Sequence, residues 1–348
     1  MGQAHDEGPE VFHEEVGFEE VSFESKVHLH AIDPNPEIQR DRESGIASSL
    51  ERWGNPPRGA WSFVLPDFSG QSQVVAVAKR HMQNGKDAPI GIFDSGIGGL
   101  TVLSAIRRHL PCEHLIYLGD TARVPYGTKS AETVVRYSSE CAEFLMEKGA
   151  KAIVVACNTA SAFALSAISS KFDLPVIGVI APGAAAAAAI SRKKVVGVIG
   201  TTGTIASNAY GRELKSIDSN IRVVSRACPL FVSLVEEGWL DNEVAEAAAR
   251  IYLDGMRGEG IDALVLGCTH YPLLKGVIGR YLGDSVVLVD SAETTATFLS
   301  DTLEAAELKS DRPAGNYKIY VTDLPGRFER IAGAFLGEEP PSVTRVDL

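Results

Sequence analysis

The sequence of 348 residues contains no apolar run of roughly 18 residues, the length that a membrane-spanning helix needs, and no N-terminal signal peptide. It also lacks an excess of positive charge. The formal net charge is −12, which argues against nucleic acid or an anionic membrane as the main partner. Cysteine is scarce, and no two cysteines have the spacing of metal ligands. These absences predict a cytoplasmic protein with reduced thiols and no metal site.

The chain is long for a single domain, and its length predicts two domains and an extension. Hydrophobic residues make up 45% and charged residues 22%, which is typical of a globular protein. Residues 1–86 are acidic, and residues 32–59 combine four prolines with many charges, which favours loop or disorder. We interpret residues 1–86 as an acidic N-terminal extension without catalytic spacing. Met82, which precedes a polar leader, is an alternative start of the chain.

From Pro89 onward, short apolar runs alternate with amphipathic segments, which is the pattern of βα repeats. The predicted strands are residues 90–93, 114–118, 153–156, 175–180, 194–199, 221–227, 264–267, 286–289 and 317–322. The predicted helices are residues 101–110, 130–148, 160–172, 182–190, 205–215, 241–256, a short helix from 272, and 291–306. Asp241 is the predicted N-cap of the helix over 241–256.

Two short motifs occur once in each half of this pattern, which indicates an internal duplication. Residues 94–96 correspond to 200–202, and residues 157–159 correspond to 268–270. The sequence therefore predicts an α/β fold with two similar open-sheet domains related by pseudo-symmetry, and an active site in the cleft between them. The first domain is predicted to comprise residues 87–183 with 291–348, and the second residues 184–290.

Two of the five cysteines, Cys157 and Cys268, follow predicted strands and precede predicted helix starts. Such positions face the ligand crevice of an open sheet, and a helix N-terminus lowers the pKa of a thiol. Two thiols across a cleft could remove a proton from one face of a carbon and return one to the other, which inverts a stereocentre. Hydrolysis or group transfer, needing one thiol, and a disulfide between the two are the alternatives. The remaining cysteines are interpreted as structural: Cys112, Cys141 and Cys228.

A glycine-rich turn over residues 94–101 joins the first strand to the first helix. Its spacing fits neither a dinucleotide motif nor a P-loop, so a carboxylate suits it better than a nucleotide; a turn that only packs is the alternative. Asp94 is a candidate to assist a neighbouring acid group or to cap the helix. Further candidates are Glu236, Glu237 and His270, the last because it follows a strand-end cysteine by two residues.

Four motifs together resemble the signatures of the bacterial glutamate racemases, within the aspartate/glutamate racemase family. They are residues 92–101, 125–127, 156–161 and 266–272, and the similarity extends from about residue 89 to about residue 303. The resemblance implies an isomerase that interconverts L- and D-glutamate with two cysteine bases and no cofactor. It also implies a homodimer that supplies D-glutamate for peptidoglycan synthesis, and thereby for cell-wall biogenesis and cell shape.

Carried over residue by residue, the resemblance assigns a role to each motif position. Cys157 resembles the base that acts on the D-isomer, and Cys268 the base that acts on the L-isomer. Asp94 looks like the group that assists the first thiol and His270 like the group that assists the second. Glu236 resembles a further assisting carboxylate, and Glu237 is the alternative for this role. The positions that resemble the substrate-binding residues are Ser95, Tyr126, Gly127, Asn158, Thr159 and Thr269, with Thr201 and Thr204 as weaker matches.

The sequence has no lysine motif of the pyridoxal type that would delocalise a carbanion. A site of this kind must instead stabilise the developing charge with preorganised donors and exclude water. Two other functions remain as alternatives: a racemase of the same fold that acts on aspartate, and an inactive module that binds a dicarboxylate or a wall precursor.

Overall fold

The structure is a computed structural model that describes residues 85–348. These residues belong to one compact unit of the chain. The predicted extension therefore lies outside the described residues, except for its last two positions. In the described part, strands and helices alternate along most of the chain, as the sequence predicts.

The strands are β1 (Ile90–Asp94), β2 (Leu115–Gly119), β3 (Ala152–Val155), β4 (Val176–Gly178), β5 (Val195–Gly200), β6 (Arg222–Ala227), β7 (Ala263–Gly267), β8 (Val287–Asp290), β9 (Tyr317–Val321) and β10 (Val343–Arg345). The α-helices are α1 (Leu100–His109), α2 (Ala131–Glu147), α3 (Asn158–Lys171), α4 (Ile180–Ile190), α5 (Thr202–Ala206), α6 (Ala209–Ile217), α7 (Leu230–Glu236), α8 (Glu243–Arg257), α9 (Lys275–Leu282), α10 (Ser291–Ala305) and α11 (Pro325–Leu336). Two 3₁₀ turns lie at Tyr126–Thr128 and Tyr271–Leu274.

The strands form two sheets in which all neighbours are parallel. The order is β10-β9-β2-β1-β3-β4 in the first sheet and β6-β5-β7-β8 in the second. The run β2-β1-β3-β4 has the same order as β6-β5-β7-β8, so that β1 corresponds to β5 and β3 to β7. The α/β prediction with two similar open sheets is thereby confirmed, and the duplication inferred from the motifs has a counterpart in the strand order.

The central strands are buried along their whole length, because they consist of apolar residues with helices on both faces. Every residue of β1, β2, β3 and β7 is buried. Alternate side chains enter separate hydrophobic clusters: Ile92 and Val154 pack in one, and Phe93 and Val155 in another. Within residues 85–348, no helix has the length and apolar character required to cross a lipid bilayer.

The predicted helix over residues 205–215 is wrong in its bounds, because the chain forms two helices there. The break between α5 and α6 falls at Asn208, which has φ 50° and caps α6 in the left-handed region. Asparagine enters this region at lower cost than most side chains. The left-handed backbone at Asn208 therefore ends one helix and begins the next, although the apolar spacing of the sequence is helical on both sides.

The N-cap of α8 is also corrected by one residue. Asn242 caps the helix, and its Oδ1 accepts hydrogen bonds from the backbone N–H of Val244 at 3.1 Å and of Ala245 at 2.9 Å. Asp241, the predicted cap, forms an ion pair with Arg280 instead. Both side chains are common N-caps, so the sequence alone does not distinguish the two positions.

The described residues include one deeply buried ion pair, whose contacts join four segments of the chain. Lys151 Nζ lies 2.5 Å from Glu113 Oε2, with side-chain exposures of 0% and 1%. The same ammonium donates to the carbonyl oxygens of Lys86 at 2.5 Å and Leu308 at 2.8 Å, and Glu113 Oε1 accepts from the Ser310 N–H at 2.8 Å. The pair is thus fully hydrogen-bonded in its buried position.

We expect Lys151→Met to lower the free energy of unfolding by about 3–5 kcal/mol, because it leaves the buried Glu113 carboxylate without a counter-charge. Urea unfolding of the purified protein measures this. The matched control is Lys171→Met, which removes an ion pair with Glu143 whose side chains are both 47% exposed, and it should change stability by less than about 1 kcal/mol. Equal stability of the Lys151 variant and the wild type would contradict the expectation.

Candidate active site

The two candidate catalytic cysteines lie at equivalent places in the two sheets. Cys157 follows β3 by two residues and Cys268 follows β7 directly, and each of these strands pairs with the first strand of its own sheet. Both cysteines are buried, with 5% and 6% of their surface exposed. Cys157 contacts Ser95, whose neighbour Asp94 accepts a hydrogen bond from Thr269, the residue after Cys268. A short series of contacts thus connects the segments that carry the two thiols.

Cys157 is the N-cap of α3, and its sulfur accepts a hydrogen bond from the Ala160 N–H at 3.4 Å. Its thiol donates to Ser95 Oγ at 3.7 Å. Burial, and after it the charge of Asp94, raise the pKa of Cys157 to about 12 against the lowering effect of the two hydrogen bonds. The helix N-terminus thus lowers this pKa in the predicted direction through the Ala160 N–H, but burial outweighs it, and Cys157 carries its proton at neutral pH.

Cys268 begins a chain of polar contacts that runs away from the strand end. Its sulfur lies 3.8 Å from His270 Nδ1, and His270 Nε2 lies 3.2 Å from Glu236 Oε1. The other oxygen of Glu236 lies 3.9 Å from Arg327 Nη2. Glu237 has a more exposed carboxylate, which lies 4.0 Å from the same guanidinium. Of the two sequence candidates, Glu236 is therefore the one that contacts His270.

Opposing effects act on the imidazole of His270. Burial lowers its pKa, but hydrogen bonds with Cys268 and Glu236 and the charges of Cys268 and Asp94 outweigh burial and bring it to about 10. His270 thus remains protonated at neutral pH and places a cation beside Cys268. Because this pKa lies above the ordinary value of 6.5, the proton stabilises the fold fully below pH 6.5, and this stabilisation is lost as the pH rises through about 10.

Asp94, the last residue of β1, is fully buried. Its Oδ2 accepts from the Gly96 N–H at 2.9 Å and its Oδ1 from Thr269 Oγ1 at 3.4 Å. Burial raises its pKa, against the lowering effect of the His270 charge and of these hydrogen bonds. Asp94 does not cap α1, since the N-cap position is Gly99. The carboxylate instead acts electrostatically on both Cys157 and His270.

Three threonine hydroxyls from the two halves of the chain form a cluster. Thr159 Oγ1, on α3, lies 2.9 Å from Thr201 Oγ1 and 3.2 Å from Thr204 Oγ1, and the last two are 3.0 Å apart. Thr201 is the N-cap of α5. Gly127 packs against this cluster so closely that a Cβ there would lie 2.6 Å from Thr201 Cβ. Neutral hydroxyl donors of this kind suit a carboxylate ligand.

The structure gives the remaining substrate-binding candidates different surroundings. Tyr126 is buried and its hydroxyl donates to Asp120 Oδ2 at 2.5 Å, so its backbone rather than its hydroxyl is available to a ligand. Asn158 accepts a hydrogen bond from the Tyr210 hydroxyl at 2.7 Å, and its Nδ2 is buried without a partner.

Three residues that contact the site were not identified from the sequence: Tyr210, Arg327 and Phe335. Tyr210 contacts Asn158, Arg327 contacts Glu236, and the ring of Phe335 packs edge-on against His270 with centroids 5.6 Å apart. Arg327 and Phe335 both lie on α11, a helix that the sequence analysis did not predict. Their spacing along the chain carries no motif, so only the fold brings them to the site.

All five cysteines are free, so Cys157 and Cys268 are present as separate cysteines and form no disulfide. The alternative of a disulfide between Cys157 and Cys268 is therefore wrong for this structure. Among residues 85–348, no group of three or more His, Cys, Asp or Glu side chains is arranged to hold a metal ion. Proton transfer by thiols is the chemistry that the side chains described above can perform.

Gly98 lies where the glycine-rich turn meets the loop after β7. A Cβ at this position would lie 2.2 Å from Thr269 Oγ1 and 2.4 Å from His270 Nδ1. We expect Gly98→Ala to displace His270 and lower kcat on the order of 10²-fold, because a shift of about 1 Å in a catalytic group has effects of this size. Steady-state racemisation kinetics measure it. The control Gly326→Ala, where a Cβ meets nothing within 4 Å, should keep wild-type activity, and an active Gly98→Ala variant would contradict the expectation.

Comparison with known proteins places the chain among racemases. Residues 98–299 match the family described as Asp/Glu/Hydantoin racemase. Glutamate racemase of Geobacter metallireducens is 57% identical over 260 residues, which are 74% of this chain and 96% of that protein. A glutamate racemase from Syntrophus aciditrophicus is 48% identical over 261 residues, covering 75% and 97% of the two chains.

Solved structures give the same result. A glutamate racemase isoform from Bacillus anthracis has a TM-score of 0.73 at 43% identity and covers 77% of this chain and 99% of its own. The glutamate racemase of Francisella tularensis, solved in complex with D-glutamate, has a TM-score of 0.71 at 40% identity, covering 75% and 98%. The family match over residues 98–299 includes both cysteines. The chain therefore belongs to the Asp/Glu/hydantoin racemase family, in its glutamate racemase group, and is an amino-acid racemase.

Proposed function

We propose that this racemase interconverts L- and D-glutamate by two-base proton transfer, with Cys157 and Cys268 as the bases and without a cofactor. The observation that carries the proposal is the pair of buried thiols at equivalent strand ends, in segments that the contacts of Ser95, Asp94 and Thr269 connect. Glutamate as the substrate is supported by the Francisella tularensis relative, which was solved with D-glutamate bound.

In the direction from L to D, Cys268 as thiolate takes the α-proton of L-glutamate, and the electron pair of the C–H bond remains on the carbon. Cys157 as thiol then donates its proton to the opposite face. The turnover leaves Cys268 protonated and Cys157 as thiolate, which is the form that acts on D-glutamate. The raised pKa of Cys157 and the protonated His270 beside Cys268 suit the form that accepts the L-isomer.

The assisting groups are proposed to differ on the two sides. His270, held by Glu236, stabilises the thiolate of Cys268, because a cation beside a sulfur favours its charged form. On the other side, the Ser95 hydroxyl contacts Cys157, and Asp94 acts on it through its charge. In this proposal Glu236, rather than Glu237, is the assisting carboxylate.

Substrate binding is proposed to depend on neutral donors. The hydroxyls of Thr159, Thr201 and Thr204, the Asn158 amide and the backbone at Gly127 are the groups that would hold the two carboxylates and the amine. The other proposed contacts are Ser95, Thr269 and the backbone of Tyr126. Preorganised donors in a buried site stabilise developing negative charge at little reorganisation cost.

The wider role in this proposal is the supply of D-glutamate for peptidoglycan synthesis in the cytoplasm, by a homodimer. We divide the chain into a first domain of residues 87–183 with 291–348 and a second of residues 184–290. This division is supported by the strands of the first sheet, which come from the outer segments, and those of the second, which come from the middle.

The experiment that tests the function is incubation of the purified protein with L-glutamate, and separately with D-glutamate, in deuterated water without added cofactor. We expect the other enantiomer to form with deuterium at its α-carbon. Aspartate under the same conditions tests for the sister activity. Inversion of aspartate but not of glutamate would overturn the substrate, and α-deuterium in neither amino acid would overturn the racemase proposal in favour of a binding module.

A further inference from the structure

The amide of Asn158 is satisfied on one side only. Asn158 is 2% exposed and directly follows Cys157, at the first position of α3. Its Oδ1 accepts from the Tyr210 hydroxyl at 2.7 Å, whereas its Nδ2 is buried and has no hydrogen-bond partner. Buried donors are nearly always paired, so an unpaired amide next to a candidate catalytic thiol points to a ligand that completes it.

Tyr210 is held in place by close packing on two sides. A Cβ at Gly267, the residue before Cys268, would lie 3.1 Å from the ring carbon Cε2 of Tyr210. A Cβ at Gly183, on α4, would lie 3.3 Å from the tyrosine hydroxyl. The two glycines thus leave just enough space for the ring. Tyr210 is 2% exposed and packs against the last residue of β7.

The direction of the hydrogen bond determines which end of the amide is left free. Burial raises the pKa of the phenol, so the hydroxyl keeps its proton at neutral pH. This proton is donated to Asn158 Oδ1. A side-chain amide can rotate by half a turn and exchange its oxygen and nitrogen, and a fixed donor on one side selects the orientation with Oδ1 toward the tyrosine.

We propose that Tyr210 is a positioning residue for the substrate, which fixes the Asn158 amide so that Nδ2 donates to a carboxylate of the bound amino acid. This inference rests on the proposed glutamate racemase function. Without the tyrosine hydroxyl, the amide can present its oxygen to the carboxylate, which repels it. Tyr210 comes from α6 of the middle segment and Asn158 from α3, so the contact also couples the two halves of the chain to substrate binding.

The test is the racemisation kinetics of Tyr210→Phe, which removes one oxygen atom and keeps the ring. We expect KM for glutamate to rise about 10-fold in both directions, with kcat within about 3-fold of wild type, because a hydrogen bond to a charged ligand is weakened and the proton-transfer groups are untouched. The matched control is Tyr317→Phe, at the start of β9, which removes a hydroxyl bonded to Glu338 and should leave KM unchanged.

A double-mutant cycle with Asn158→Ala separates positioning from a general structural role. If Tyr210 acts through the amide, the double variant has the KM of Asn158→Ala alone; if it only packs, the two effects multiply. A wild-type KM for Tyr210→Phe would overturn the inference, and so would effects of the two substitutions on KM that multiply. In either case, racemisation by the wild type would leave the proposed function intact. No racemisation by the wild type would instead overturn the function itself. Circular dichroism and thermal unfolding establish that each variant is folded.

Discussion

Replacing one thiol at a time should abolish racemisation and leave isotope exchange on one enantiomer only. We expect Cys157→Ser and Cys268→Ser to lower kcat/KM for racemisation by at least about 10³-fold, because a serine hydroxyl is far less acidic than a thiol and each turnover needs both groups. In Cys157→Ser, Cys268 can still remove and return the α-proton of L-glutamate. Deuterium should therefore enter L-glutamate without inversion and should not enter D-glutamate.

Cys268→Ser should give the mirror-image result, with deuterium entering D-glutamate alone. Proton NMR of the α-position in deuterated water, combined with chiral chromatography, measures exchange and inversion separately. The control is Cys112→Ser, at a partly exposed cysteine with no role in the proposed mechanism, which should racemise at the wild-type rate. Exchange into both enantiomers by either active-site variant would rule out the assignment of one thiol to each face.

Removing the cation beside Cys268 should have the second-largest effect. We expect His270→Asn to lower kcat/KM on the order of 10²-fold or more, because Cys268 loses the partner that stabilises its thiolate. Wash-in of deuterium into D-glutamate through Cys157 should fall much less than wash-in into L-glutamate. Exchange rates for the two enantiomers, measured side by side, therefore distinguish a defect on one side from a general loss of activity.

The same variant tests the linkage between this proton and folding. The pKa of His270 rises from 6.5 to about 10 in the folded chain, so its proton stabilises the wild type at neutral pH and loses this effect as the pH passes about 10. The difference in unfolding free energy between wild type and His270→Asn should therefore be larger at pH 7 than above pH 10. A difference independent of pH would contradict a protonated His270.

Much of this site could be predicted from the sequence, because its central groups lie within short motifs at strand ends. Cys157 and Cys268 follow short apolar runs, which favour buried strands, and such strand ends face a crevice. Thr269 and His270 directly follow Cys268, so local order along the chain gives their proximity in the fold. Asp94 ends β1, which pairs in parallel with β3, so the sheet brings it beside the segment of Cys157.

The features that the sequence did not predict depend on packing between distant segments. Strand β10 is only three residues long and has no periodicity. Helix α11 has apolar residues at helical spacing after Pro325-Gly326, but the sequence analysis assigned no element there. The pKa of Cys157 was expected to fall because the sequence places the thiol at a helix start; its complete burial and the nearby Asp94 carboxylate depend on the fold. Tyr210 meets Asn158 from 52 residues away, with no motif to connect them.

The repeated strand order also bears on the symmetry of the reaction. Enantiomers have equal free energies in water, so the specificity constants of the forward and reverse reactions must be equal in the wild type and in every variant. The repeat supplies two like bases for this balanced exchange, but their neighbours are unlike: Ser95 contacts one thiol and His270 the other. The difference between the surroundings of the two thiols can therefore change kcat and KM for L-glutamate relative to those for D-glutamate. The ratio kcat/KM must stay the same for both enantiomers, so kcat and KM differ between them by the same factor.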